Sequence, residues 1–129
     1  MKQRIVNVTM LVADYDEAIA FYTETLDFKL VEDTQMSPSK RWVLIAPPND
    51  NSCRLLLAKA TNEAQRNCIG NQTGGRVFLF LHTDNFQRDY DNLLEKRVKI
   101  VKKAREEAYG KVLVFADLYG NLIDLIEPF

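Results

Sequence analysis

A chain of 129 residues with 47% hydrophobic and 27% charged side chains is long enough to bury one sizeable core and too short for two ordinary domains. Its 17 basic and 18 acidic residues nearly cancel, so no net positive field favours binding to nucleic acid or an anionic membrane. Apolar runs long enough to span a bilayer and signal-peptide patterns are both absent, so we expect a cytoplasmic protein.

The first half of the sequence follows the order strand, helix, strand, strand, strand. Residues Ile5–Val12 are apolar and β-branched, which indicates a strand, and Asp14 marks the change to a helical period. Apolar side chains then form one helical stripe that can lie on a sheet: Tyr15, Ala18, Ile19, Tyr22 and Leu26. Three further strands are predicted at Phe28–Val31, Trp42–Ala46 and Arg54–Ala58, with a loop at 35–40 and a turn at Pro47–Asn51 between them.

The second half repeats this order after a polar stretch that ends in Gly74-Gly75, which we interpret as a linker at about 60–75. A strand at Val77–Leu81 precedes an amphipathic helix that carries Phe86, Tyr90, Leu93 and Leu94. The last three strands are predicted at Lys99–Lys102, Lys111–Phe115 and Leu122–Ile126. Module one therefore covers about 1–60 and module two about 76–129, within a single domain of residues 1–129.

The two halves align at a constant spacing, with Asn7 opposite Phe78 and Asp14 opposite Asn85. After its helix has docked, each module still has one sheet face to bury. We therefore predict an α+β protein in which two tandem βαβββ modules form a curved mixed sheet around a cleft.

Two segments resemble a known family. VTMLVADYDEAIAFYTETLDF resembles the opening strand and helix of the glyoxalase, bleomycin resistance protein and extradiol dioxygenase superfamily, also called vicinal oxygen chelate proteins. FADLYGNLIDLIEP resembles the closing turn and strand of the same proteins, although Leu118 and Tyr119 depart from the usual turn. The resemblance implies a small-molecule ligand and a homodimer. It does not select one chemistry, because members include lyases, dioxygenases and proteins that only sequester a drug.

The resemblance also locates the metal ligands of the superfamily in this sequence. These positions carry Asn7, Leu56, Phe78 and Asp124, of which only Asp124 is a strong ligand. Because a transition metal needs about three or four converging N, O or S donors, we predict no metal site and no cofactor. The cysteines Cys53 and Cys68 are expected to be reduced thiols, since they are too few for a disulfide framework and do not form a CxxC pair.

Candidate site residues follow from the positions that the superfamily resemblance implies, from strand alternation and from aromatic content. The catalytic candidates are Asp124 and the only histidine, His82, which alternation places on one strand face with Phe78 and Phe80. The ligand-binding candidates are Asn7, Trp42, Arg54, Phe78, Phe80, Tyr109 and Phe115. An aromatic lining suits a flat or apolar ligand, whereas the alternative for any of these aromatic residues is ordinary core packing.

Three functions remain open at this point. The leading hypothesis is a metal-independent protein that binds a small organic molecule in the cleft. The second is a metal-dependent lyase or dioxygenase similar to glyoxalase I or the extradiol enzymes, which would use Asp124 and His82 in an unusual ligand set. The third is a metal-free acid–base catalyst in which one of these two side chains moves a proton beside a carbonyl group.

Overall fold

The computed structural model describes residues 1–49 and 53–129, which form two compact units, Met1–Ile69 and Gly70–Phe129. The first unit contains β1 (Asn7–Val12), α1 (Tyr15–Ala20) with a π-helical continuation (Phe21–Thr25), β2 (Lys29–Gln35), β3 (Arg41–Ala46), β4 (Arg54–Lys59) and α2 (Glu63–Cys68). The second unit contains β5 (Val77–His82), α3 (Phe86–Glu95), β6 (Ile100–Glu107), β7 (Gly110–Ala116) and β8 (Leu122–Pro128). None of the helices in these described ranges is long and apolar enough to cross a membrane.

The sheets of the two units have the same topology. The strand orders are β1-β4-β3-β2 and β5-β8-β7-β6, and in each sheet the first strand is parallel to its neighbour while the other pairs are antiparallel. The predicted α+β class with tandem βαβββ modules is therefore confirmed.

Equivalent polar residues begin the main helix of each unit. Asp14 accepts a hydrogen bond from the backbone N–H of Glu17 at 2.9 Å, and Asn85 accepts one from the backbone N–H of Arg88 at 3.1 Å. Such N-caps satisfy amide groups that have no partner within the helix. The spacing that aligned Asp14 with Asn85 in the sequence thus reflects a shared strand-to-helix junction.

Each sheet buries the face that its helix covers. In the first unit Tyr22 contacts Met10 of β1 through its hydroxyl, 3.6 Å from the sulfur, and packs edge-on against Phe28. In the second unit Glu127 of β8 accepts a hydrogen bond from the backbone N–H of Phe86 at 2.7 Å. Strand alternation therefore places Asn7, Thr9 and Leu11 of β1, and Leu122, Asp124 and Ile126 of β8, on the opposite face, which we call the far face of each sheet.

Several predicted boundaries were wrong, for one physical reason. Strand β2 continues to Gln35 instead of ending at Val31, and β6 continues to Glu107 instead of Lys102. Both are edge strands whose residues are mostly exposed, and edge strands carry polar side chains that read as loop. The connection between β6 and β7 is consequently a tight turn at Ala108 and Tyr109.

Two further predictions concern the connections between the strands. The segment interpreted as a linker at about 60–75 contains the helix α2, which contacts β1. The turn predicted at Pro47–Asn51 lies partly outside the described residues, which resume at Cys53. Cys53 and Cys68 are both free thiols.

Candidate functional site

The far face of the first sheet is built from three adjacent strands. Thr9 and Leu11 of β1 lie beside Leu56 and Ala58 of β4, and Leu56 pairs in turn with Leu44 of β3. The same alternation places Trp42 of β3 on this face. The result is a continuous apolar surface that a sequence reading of single strands does not show.

A groove of about 640 Å³ lies over this surface and continues around the end of the sheet. Its lining comes from β1, α1, the connection between β2 and β3, β3, β4 and α2 with the segment before it: Thr9, Leu11, Tyr15, Ser37, Ser39, Lys40, Arg41, Trp42, Leu56, Leu57, Ala58, Lys59, Ala60, Thr61 and Gln65. Apolar side chains with a few polar groups at the edge are the usual composition of a small-molecule site.

Arg41 holds one wall of the groove in place. Its guanidinium donates to both carboxylate oxygens of Asp33, at 3.1 Å from Nε and 2.7 Å from Nη2, and to Asp16 at 2.9 Å from Nη1. It also lies 5.1 Å from the ring centroid of Tyr15, a cation–π contact. Hydrogen bonding from Arg41 lowers the pKa of the Asp33 carboxyl. The hairpin β2–β3 and helix α1 are therefore fixed to one another at the groove.

The short helix α2 supplies a second wall. Asn62 caps it by accepting from the backbone N–H of Gln65 at 2.8 Å, and the Gln65 side chain accepts from the backbone N–H and hydroxyl of Thr61 at 2.8 and 3.0 Å. Sequence reasoning missed this helix because it has no buried residue. The signal that could have revealed it is the spacing of Asn62 and Gln65, which is typical of a helix start.

The far face of the second sheet has a different character. Phe80 lies beside Asp124 and His82 beside Ile126 on the parallel pair β5–β8, while Asp124 also pairs with Val114 of β7. Phe80 is 67% exposed, which is unusual for a large aromatic side chain in a strand. The structure thus brings together three of the predicted residues, Phe80, His82 and Asp124.

Asp124 is the most unusual ionisable residue of the second unit. Its Oδ1 atom is buried and accepts no hydrogen bond from the part of the chain that the structure describes. Burial raises the pKa of this carboxyl, against the opposing influence of Arg105 and Lys102. A carboxyl group that is unsatisfied and shifted towards its neutral form is suited to accept a hydrogen bond from a ligand or to hold a proton.

The remaining predicted residues fall in different places. Asn7 and Arg54 pair at the start of β1 and β4, outside the described lining of the groove. Phe78 occupies a register shift between Val77 and Leu79, so simple alternation does not place it on the face of Phe80.

Two aromatic candidates differ sharply in exposure. Phe115 is 1% exposed and pairs with Ile123, so it lies on the helix-covered face and packs in the core. Tyr109 is 54% exposed in the turn between β6 and β7. For Phe115 the structure therefore shows the core packing that the sequence left open.

The side chains at the superfamily's four metal-ligand positions do not suit a transition metal. The four superfamily positions are occupied by an amide, two hydrocarbon side chains and one carboxylate, namely Asn7, Leu56, Phe78 and Asp124. Within residues 1–49 and 53–129, no three His, Cys, Asp or Glu side chains are grouped so that they could hold a metal ion. Asp124 and one amide are too few donors for tight binding of a divalent transition metal.

The topology of the two units and a family comparison together identify the class of protein to which the chain belongs. The sequence profile of the Glyoxalase/Bleomycin resistance protein/Dioxygenase superfamily matches residues 4–125. The chain belongs to this superfamily.

Three proteins resemble this chain over nearly its full length. A protein of Shewanella frigidimarina is 53% identical over 98% of this chain and 95% of its own length. The crystal structure of UcmS2 is 29% identical with a TM-score of 0.85, and it covers 98% of this chain and 99% of its own. TnmS3, described as an antibiotic binding protein from Streptomyces sp. CB03234, is 26% identical with a TM-score of 0.78 over 99% of this chain and 98% of its own.

Proposed function

We propose that this protein binds a small organic molecule with a flat or apolar body in the groove of the first unit and does so without a metal ion. The observation that carries the proposal is the groove itself, in which Trp42 and Leu56 form an apolar floor between two polar walls. A site of this size and composition can take up much of the surface of a small ligand.

The relatives support a binding function. TnmS3, which the chain resembles over almost its full length, is described as an antibiotic binding protein. Similarity in fold alone would not transfer this function, because the superfamily also contains enzymes. Two features of this chain support the comparison with TnmS3 beyond the shared fold. It has a groove, and its described residues include no group of side chains suited to hold a metal ion.

The test uses the only tryptophan of the chain, Trp42. A library of flat aromatic compounds, beginning with 2-naphthamide, is titrated against tryptophan emission, and a saturable change is expected because Trp42 lines the groove. Isothermal titration calorimetry of the same compounds measures binding independently of the fluorophore. A library without a single saturable response in either measurement would contradict the proposal.

The far face of the second unit supports a second candidate, metal-free acid–base catalysis. The specific observation is that the buried Oδ1 of Asp124 has no hydrogen-bond partner among residues 1–49 and 53–129, and that burial raises the pKa of this carboxyl. In this role Asp124 would exchange a proton with the carbon next to a substrate carbonyl, and the exposed ring of Phe80 would hold the substrate. The roles predicted for Asn7, Arg54 and His82 stay predictions: Asn7 and Arg54 lie outside the groove lining, and His82 lies on the second unit with Asp124.

Proton exchange distinguishes this candidate from simple binding. Deuterium incorporation next to the carbonyl of 2-tetralone, followed by NMR in deuterated water, should be accelerated by the protein and lost in Asp124→Asn if Asp124 acts as a base. Acceleration that survives a chelator would exclude the metal-dependent lyase or dioxygenase as its source. Inductively coupled plasma mass spectrometry of gently purified protein tests that alternative directly, since a stoichiometric transition metal would favour it.

A homodimer and a cytoplasmic location stay predictions that rest on the superfamily resemblance and the sequence composition. Sedimentation velocity over a range of protein concentrations tests the first of these. A species of twice the chain mass is expected, and a monomer at all concentrations would contradict it.

A further inference from the structure

We propose that the groove of the first unit selects ligands that carry a negative charge, such as a carboxylate, on an apolar or aromatic body. The inference deepens the proposed binding function and rests on it. It comes from the charges that line the groove.

The lining is positively charged although the chain as a whole is nearly neutral. Among the described lining residues three are basic, Lys40, Arg41 and Lys59, and none is Asp or Glu. The formal net charge of the chain is −1, so this local excess is not a consequence of overall composition. A concave, partly apolar surface with charge of one sign favours a ligand of the opposite sign.

The three cations are not equivalent. The charge of Arg41 is more than balanced, because it is bound by two carboxylates, Asp16 and Asp33, which lie outside the lining. Lys40 and Lys59 have no carboxylate partner in the part of the chain that the structure describes. The two ammonium groups are therefore the charges left for a ligand.

Both lysines start from fixed backbone positions. The carbonyl of Lys40 accepts from the backbone N–H groups of Met36 and Ser37 at 2.8 and 3.1 Å, and its own N–H donates to the Ser37 hydroxyl at 3.1 Å. Lys59 ends β4 opposite Val12, and the next backbone N–H, of Ala60, donates to the Val12 carbonyl at 3.0 Å. A flexible ammonium group on an anchored backbone can reach a carboxylate without ordering a loop.

The apolar floor and the two lysines would contribute differently to binding. The apolar floor at Trp42 and Leu56 would supply most of the affinity, since burial of apolar surface is the main driving force for such ligands. The lysines would supply discrimination between an acid and its neutral analogue. Because both ammonium groups are exposed, the expected preference is modest, about three- to tenfold, and falls with ionic strength.

The experiment compares two probes of the same shape, 2-naphthoate and 2-naphthamide, on the full chain. Dissociation constants are measured by calorimetry at low and high salt for the natural protein, for Lys40→Gln/Lys59→Gln and for the matched control Lys99→Gln/Lys103→Gln. The control removes two exposed lysines of the second unit, so it changes the net charge of the chain equally.

The expected result is tighter binding of the acid, an effect that disappears in Lys40→Gln/Lys59→Gln and persists in the control. The quantity compared is the ratio of the two dissociation constants, and circular dichroism of all three proteins shows that the variants are folded. Equal binding of acid and amide by the natural protein would overturn the charge preference and leave the proposed function intact. A preference that survives Lys40→Gln/Lys59→Gln, or is lost equally in the control, would overturn the assignment to these lysines. Absence of binding by both probes would overturn this inference, while the proposed function is decided separately by the wider library of flat aromatic compounds.

Discussion

The two units of this protein share one topology and differ in the chemistry of their far faces. The first unit surrounds an apolar floor with a hairpin and a short helix, and none of its described lining residues is acidic. The second unit exposes Phe80 beside a partly buried carboxylate, Asp124, whose Oδ1 atom is buried. A repeat of strand order thus preserves the scaffold, while the side chains at equivalent strand positions determine what each face can bind.

The two units also differ in how they use aromatic side chains, since one packs in a core and another is available to a ligand. Phe115 and Trp42 both belonged to the aromatic set identified in the sequence. Phe115 is buried under the helix-covered face, whereas Trp42 lines the groove. Substitution of the two side chains should therefore affect different properties of the protein.

The largest expected effect is on stability, from Phe115→Ala. Removal of a fully buried phenylalanine leaves a cavity and should lower the free energy of unfolding by about 3–5 kcal/mol. Urea denaturation followed by circular dichroism measures the change, with the exposed Tyr109→Ala as the control. A Phe115→Ala protein of natural stability that has lost ligand binding would reverse the roles assigned to the two aromatic residues.

The next largest effect is on binding, from Trp42→Ala. Loss of a large aromatic contact in a ligand site costs about 2 kcal/mol, so 2-naphthamide should bind roughly thirtyfold more weakly. Calorimetry is the appropriate measurement because the variant has no tryptophan. Phe80→Ala is the matched change on the far face of the second unit and should leave this affinity nearly unchanged. If Phe80→Ala weakens binding more than Trp42→Ala does, the ligand site has been assigned to the wrong unit.

A smaller effect on stability is expected from Arg41→Gln, which tests whether Arg41 holds the groove wall in place. Arg41→Gln removes contacts that join α1, β2 and β3, and it should lower the free energy of unfolding by about 1 kcal/mol at neutral pH, because partly exposed ion pairs are individually weak. Since Arg41 lowers the pKa of Asp33, this contribution is present above the unfolded carboxyl pKa of about 4 and is lost as pH falls through the folded pKa.

Arg88→Gln in the second unit is the control for that change. Arg88 also contacts two carboxylates, Asp84 and Asp89, but it does so locally at the start of one helix and at an exposed position. Little change in stability and none in probe affinity are expected. Equal losses in the two variants, measured by urea denaturation and calorimetry, would show that the links made by Arg41 between elements are unimportant.

The smallest effect concerns Asp124 and depends on pH. Because burial raises its pKa, the folded chain holds more protons than the unfolded chain at pH values between the two pKa values, and stability falls as pH rises through that window. Asp124→Asn removes this dependence, so its stability relative to the natural protein should increase from pH 3 to pH 7. A difference in stability that is independent of pH would contradict the assigned environment of Asp124.

The sequence predicted the scaffold well because that part of the fold depends on periodic burial. The apolar pattern of β1 and α1 and the alignment of Asp14 with Asn85 both correspond to structural elements and caps. The edge strands β2 and β6 were cut short, since exposed strand residues such as Glu32 and Lys103 lack an apolar alternation.

The candidate site was less accessible to sequence reasoning. Trp42 could be identified by its residue type, but the groove also needs the hairpin fixed by Arg41 and the helix α2, whose contacts join residues far apart in the sequence. The register shift at Phe78 could not be read from alternation, which assumes a regular strand. Asp124 was identified because the superfamily resemblance places a metal-ligand position there, whereas its unsatisfied oxygen required the structure.

The central claim is that the groove of the first unit is the ligand site, and the indole N–H resonance of Trp42 tests it most directly. The chain has one tryptophan, so a proton–nitrogen correlation spectrum contains a single indole signal that reports on the groove. Titration with 2-naphthamide should shift this signal saturably, with the same dissociation constant that calorimetry gives. Calorimetric binding that leaves the Trp42 signal unmoved, while backbone signals of Phe80 and Asp124 shift, would place the ligand on the second unit and contradict the claim.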